Sequence, residues 1–142
     1  MTLYLLDTNA VSNLADAPSG PIAQQIARVG VENVVTSIIV NGEIEFGLEL
    51  KQSKRLRAQM ERVFSVLPVL PLDQPADRRY GVLRAELKRR GRPIGPNDLL
   101  IAAHALALGA TLVTANVGEF SRVPGLKVEN WLQTQPRMRT SS

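Results

Sequence analysis

The chain has 142 residues, a length that makes one domain around one hydrophobic core. With 44% of residues apolar, 21% charged and no cysteine, it is neither an extended disordered chain, a disulfide scaffold nor a zinc–thiolate protein, and a single histidine, His104, excludes a His-rich metal site. The formal charge of +4 gathers in KQSKRLR (51–57) and KRRGR (88–92), which suit a polyanion and equally suit two solvated helix faces.

Residues 2–6, apolar and short, predict a buried strand that stops at Asp7. No basic segment precedes them and the run is too short for a signal peptide, while the longest apolar stretch, LLIAAHALALGATLV, is short of a membrane span and broken by His104 and Gly109. A soluble cytoplasmic protein is expected. Residues 9–16 predict a short helix, and Gly20-Pro21 restarts another, because proline suits the first helical position. NVVTSII (33–39) is β-branched and predicts a second strand, with a helix from Val40 to Leu50 behind it. Leu56, Met60, Val63 and Leu67 fall on one helical face. LPVLPL (67–72) predicts a short strand, and Ala76, Tyr80, Leu83 and Leu87 repeat the helical spacing. GRPIGP (91–96) turns the chain into a helix from about Asn97 to Leu108, stopped by Gly109. TLVT (111–114) and LKVEN (126–130) are the last strands expected. Strands alternating with helices argue for an α/β fold with a parallel sheet covered on both faces. The domain is expected over 1–132, and 133–142, without apolar period, as a disordered tail.

An acid at the end of an apolar strand fits either a capped helix start or a metal site. Around the helix from Val40, steps of 100° place Phe46, Leu50, Val40, Ile44 and Leu48 on one arc, Glu45 and Glu49 opposite, and Glu43 inside the apolar arc. A carboxylate on the buried side is costly unless its charge is compensated. Asp98 lies in the first turn of its helix, where the helix dipole alone favours it. His104, further along, reads as a satisfied, partly buried side chain. In a parallel sheet Asp7 ends the first strand, Glu43 begins the helix after the second, Asp98 begins the helix leading into the TLVT strand, and Thr114 ends that strand. All four reach the C-terminal edge, where such sheets bind ligands. Three converging carboxylates raise one another's pKa, and hard cations such as Mg²⁺ or Mn²⁺ relieve this through oxygen ligands. Flanked by Lys and Arg, such a pocket suits a metal-bridged phosphate substrate.

LLDTN (5–9), TSIIVNGEIEFG (36–47), RPIGPNDLLIAAHA (92–105) and TLVTANVGEFSRVPGLKVENW (111–131) together resemble the PIN-domain family, in particular the VapC-type toxin ribonucleases of bacterial toxin-antitoxin pairs. The likeness runs from the first strand to Trp131. It implies a PIN-like α/β/α sandwich with a central parallel sheet of four to five strands and a pocket for Mg²⁺ or Mn²⁺. Asp7, Glu43 and Asp98 take the metal-ligand positions, and Thr114 takes that of a hydroxyl that orients the site. A fourth acid usual in the family falls at Asn116 here, and Glu119, three residues on, can supply that charge directly or through water. Thr8 and Asn9 are expected to tie the turn after the first strand to the backbone. The resemblance implies hydrolysis of RNA to a 5′-phosphate and a 3′-hydroxyl, a homodimer, and a small VapB-type antitoxin that covers the pocket. The expected groove lies between helices 9–16 and 40–50, with Phe46 as an anchor. A haloacid-dehalogenase-like enzyme also ends its first strand in Asp but carries a second Asp where Asn9 stands. A PIN-like module that only binds RNA or protein is the other alternative, supported by Asn116.

Overall fold

The computed structural model describes residues 2–132, so the tail expected at 133–142 lies outside the described residues. Five parallel strands form one sheet: β1 (Tyr4–Leu6), β2 (Val34–Ser37), β3 (Val69–Leu70), β4 (Thr111–Val113) and β5 (Val128–Glu129), in the order β3-β2-β1-β4-β5. Leu5 pairs with Val35 on one side and Leu112 on the other, so the central strand is apolar through its whole length. Tyr4 at the start of β1 is half-buried, while helices on both faces bury Leu5 and Leu6, with Leu112 and Val34 beside them. Each such side chain contributes about 1.5–3 kcal/mol relative to exposure. The layers are those expected of a PIN-like α/β/α sandwich.

The helices are α1 (Thr8–Asp16), α2 (Pro21–Val29), α3 (Ile38–Lys51), α4 (Lys54–Phe64), α5 (Ala76–Arg89), α6 (Pro96–Leu108) and α7 (Val117–Phe120). Three begin at residues the sequence marks: Asp7 caps α1, and Pro21 and Pro96 each stand in the first turn of their helix. α6 is apolar nearly all round and is buried from Ile101 to Ala105. It ends at Gly109, whose φ of 67° is left-handed and natural to glycine.

The sequence expectation fails at four places. Ile38 and Ile39 are helical rather than strand, because the Ser37 hydroxyl accepts the Ile39 N–H at 3.1 Å and starts α3 two residues early. Leu67 is buried but lies beyond α4, which ends at Phe64. Phe46 and Leu50 do not share the buried arc of Val40, Ile44 and Leu48; they are 66% and 70% exposed. One helix turn apart, they form a separate apolar stripe on the outer face of α3. α7 was not foreseen at all, being a single turn without a periodic pattern.

Candidate active site

The C-terminal ends of β1, β2 and β4 bring Asp7, the start of α3, and Thr114 to one edge of the sheet, and α6 brings Asp98 there. Asp7 is buried, and its Oδ1 accepts the Ala10 N–H at 3.0 Å, so it is a helix cap as well as a site residue. Burial pushes its carboxyl above the ordinary value, opposed by hydrogen bonds from Thr114 and Ala10, while the charge of Glu43 raises it further. Thr114, also buried, gives its hydroxyl proton to Asp7 and accepts the Asn116 N–H at 2.9 Å. One hydroxyl thus fixes both the acid at the end of β1 and the turn after β4.

Asp98 carries the largest perturbation. Burial comes first, then a hydrogen bond with Glu119, then the charges of Glu119, Glu43 and Asp7, and together they push its carboxyl up to about 7. Asp98 therefore takes up a proton more readily than an ordinary carboxylate, because its burial and the neighbouring acids disfavour its charge. The four acids feel one another electrostatically, as the topology requires. They are nevertheless not gathered: among the described residues no three His, Cys, Asp or Glu side chains stand close enough to hold one ion.

The physical reason lies in the donors around the two glutamates. Glu43 accepts from the Thr8 hydroxyl and, at 3.1 Å, from Asn97 Nδ2. Glu119 accepts from Asn116 Nδ2 at 2.8 Å and from the Gly95 N–H at 3.3 Å. Each glutamate is held by its own donors. Thr8 is thus tied to a carboxylate rather than to the backbone as expected. Asn97 and the Gly95 N–H were not singled out in the sequence, although both lie beside Asp98 in the same helix start. The donor set, all oxygen, fits a hard divalent cation, and the raised Asp98 carboxyl is the strain such a cation relieves.

His104 stands apart from this cluster. It is buried, with Nδ1 2.8 Å from Ser37 Oγ, and burial lowers its pKa against the opposing influence of Asp73 and the Pro71 carbonyl. It braces α6 against the start of α3, as its sequence position suggested.

A PIN-domain family model matches residues 4–126. The chain is 35% identical over 131 residues to Ribonuclease VapC2 of Rickettsia felis, covering 91% of this chain and 98% of that one. It is also 35% identical over 133 residues to the tRNA(fMet)-specific endonuclease VapC of Salmonella typhimurium, covering 92% and 99%. Among solved structures, VapBC2 of Rickettsia felis bound to a promoter DNA fragment superposes with a TM-score of 0.83 at 34% identity, over 92% of this chain and 99% of that chain. DNA-bound VapBC of Salmonella typhimurium gives 0.81 at 34% identity, over 92% and 99%. On the family match, these relatives and the shared fold, the chain belongs to the PIN-domain family and, within it, to the VapC-type toxins of toxin-antitoxin systems.

Proposed function

We propose that the chain is the metal-dependent endoribonuclease of a VapBC-type pair, hydrolysing RNA phosphodiesters to leave a 5′-phosphate and a 3′-hydroxyl. The observation that carries this reading is the Asp98 carboxyl held up to about 7 by burial and by Glu119, Glu43 and Asp7 at the ligand-binding edge of the sheet. Asp7, Asp98 and Glu43 are the residues assigned to hold Mg²⁺ or Mn²⁺, with Glu119 as the fourth acid and Asn116 as its support. A divalent cation held there supplies charge against the phosphate and lowers the pKa of water.

The chain's own residues do the rest. Thr114 favours the charged form of Asp7 against its burial and aims it, by donating to it. Thr8 and Asn97 fix the orientation of Glu43, and Asn116 with the Gly95 N–H fixes Glu119. With its pKa held up to about 7, Asp98 must give up its proton for a cation to bind there, so loading would be pH-dependent. Attack through the RNA 2′-hydroxyl needs a neutral base beside the scissile phosphate, and His104, the one histidine of the chain, is buried against Ser37. Attack by water and departure of the 3′-oxygen is therefore the route proposed.

Residues 1–132 are assigned to this one PIN domain, in a cytoplasmic homodimer whose pocket a VapB-type antitoxin covers. Phe46 and Leu50, exposed on α3, are the proposed antitoxin anchors. The test is cleavage of total RNA and of initiator transfer RNA with Mg²⁺ or Mn²⁺, against Asp7→Asn, Asp98→Asn and a chelator. Discrete 5′-phosphorylated fragments, lost in both variants and with chelator, are the expected result. The dispersed acids favour one alternative, an RNA-binding PIN-like module without catalysis, which predicts RNA binding with no cleavage in any of these conditions.

A further inference from the structure

The two basic segments are not equivalent in the fold. α5 and α6 are joined by the turn at 90–95, so the Lys88–Arg92 cluster lies beside the N-terminus of α6, where Asp98 stands. Arg92 is three residues from Gly95, at most about 11 Å along the chain. The turn is fastened to the site twice: Gly95 N–H donates to Glu119, and Arg122 Nη1 donates to the Pro93 carbonyl at 3.3 Å. Lys88, Arg89, Arg92 and Arg122 are all exposed, and among the described residues none has a carboxylate within ion-pair distance. Arg90 is paired with Glu86.

The segment 51–57 differs in its place in the fold, although its Lys51, Lys54 and Arg55 are as exposed and as free of carboxylates among the described residues as the rim. It forms the tip where α3 turns into α4, and eight residues of helix, about 12 Å, separate Lys51 from Glu43. Its Arg57 is already held by Glu45 at 2.9 Å and by Glu49 at 3.7 Å. Resting on the endoribonuclease reading of the acidic edge, we infer that RNA is gripped by one cationic rim, Lys88, Arg89, Arg92 and Arg122, and that the basic tip at 51–57 takes no part in holding it.

The charge logic is that of a divided surface. The acids repel a polyanion until a cation offsets them, so phosphates on either side of the scissile one need fixed positive charge within reach but outside the acid cluster. The rim offers this on the same turn that supports Asp98 and Glu119, so gripping the backbone and aligning the acids are one structural act. A purely structural role is available for Lys88 and Arg89, which sit in the last turn of α5 and offset its dipole. Arg122 follows the one-turn α7 and braces the Pro93 carbonyl, whereas the Arg92 side chain has no hydrogen-bond or carboxylate partner among the described residues, and the rim reading rests chiefly on Arg92.

The test compares a Lys88→Gln, Arg89→Gln, Arg92→Gln variant with a Lys51→Gln, Lys54→Gln, Arg55→Gln variant. Binding of a fluorescent single-stranded RNA is measured by anisotropy with chelator present, at several salt concentrations, beside thermal melts and cleavage kinetics with Mn²⁺. The rim variant is expected to lose at least about tenfold in affinity and to flatten the salt slope by roughly 2, at about 0.7 per phosphate contact for three contacts. The tip variant is expected to bind as the unaltered chain does. Arg92→Lys, restoring charge without the guanidinium shape, should return most of the affinity lost by Arg92→Gln. A rise in KM with kcat held would place the rim in binding.

Equal losses in the two variants, a larger loss in the tip variant, or a rim variant that only melts earlier would overturn the inference, as would an unaltered chain that binds no RNA. If the chain cleaves RNA while the rim variant keeps its KM, the rim fails and the endoribonuclease reading stands. If it binds RNA through the rim but never cleaves, the rim stands and the catalytic reading fails.

Discussion

Asn116 Nδ2 stands 2.8 Å from Glu119 Oε1, and the bond it donates holds in place a carboxylate that pushes the Asp98 pKa up. An amide thus occupies the position where the family's usual acid is expected, and it positions the acid three residues on. Asn116→Ala removes that hold. The expected outcome is about tenfold weaker Mn²⁺ binding by calorimetry, the scale seen when a residue that orients a ligand is lost. Asn116→Asp adds a like charge instead, so the melting temperature should fall in chelator and rise further than the unaltered chain's on adding Mn²⁺. Unchanged Mn²⁺ affinity in Asn116→Ala would leave Glu119 without a role in the site.

Asp98→Asn should abolish cleavage by a factor on the order of 10²–10³, corresponding to about 3–4 kcal/mol of lost charge stabilisation. Its effect on stability runs the other way. The folded Asp98 holds its proton up to about 7, whereas the unfolded chain releases it near 4. Between those values the folded state binds more protons than the unfolded one, so this group's contribution to stability is lost as pH rises through that window. In chelator, Asp98→Asn is therefore expected to raise the melting temperature by a few degrees at pH 8 relative to its effect at pH 5. A melting curve that shifts equally at both pH values would remove the carboxylate cluster as the cause.

His104 gives the opposite slope. Its folded pKa is lowered by burial, so below about 6.5 the unfolded chain takes up a proton that the folded chain resists, and stability declines as pH falls. His104→Gln can keep a polar contact to Ser37 without titrating. Its stability should be flatter between pH 7 and pH 5 than that of the unaltered chain, as read by urea unfolding at both pH values.

Thr114→Val takes from Asp7 its side-chain donor, leaving the Ala10 N–H, and removes the acceptor of the Asn116 N–H, beside buried Asp7. The cost is about 1–3 kcal/mol, measurable as a lower urea midpoint. Because Thr114 is one of the groups that hold the Asp7 pKa down, its loss raises that pKa further, and the acid limb of the pH–rate profile for cleavage should move to higher pH.

Phe46→Ser, at a side chain 66% exposed, should leave melting temperature and RNA cleavage unchanged. Its effect is expected on the antitoxin: a loss of roughly 30-fold or more in affinity, as for a central aromatic anchor worth at least about 2 kcal/mol. Antitoxin binding that survives the change would move the interface off α3.

The fold was legible in the sequence where one signal dominated. Strand β1, the start of α6 at Pro96 and its stop at Gly109 each carried a local chemical mark, and Asp7 with Asp98 followed from topology once the strands were parallel. Ile38 and Ile39 were misread because β-branched residues favour strands, while one hydroxyl at Ser37 outweighed that preference by capping a helix. Phe46 and Leu50 were misread because a hydrophobic arc cannot say which part of it meets the core and which meets a partner. Thr8, Asn97 and the Gly95 N–H were hidden for a different reason. Their partners lie 35, 54 and 24 residues away in sequence, and no local spacing encodes such bonds.

The outward stripe of Phe46 and Leu50 also bears on what happens when this protein is alone. Two large apolar side chains on one helix face cost solubility, because water-exposed hydrophobic surface promotes self-association. If the proposed antitoxin covers this stripe, a cell that made the chain alone would leave that apolar surface open to self-association. The chain's free concentration would then be limited by colloidal behaviour as well as by inhibition, and co-expression with a cognate partner should raise soluble yield even for a variant that cannot cleave RNA.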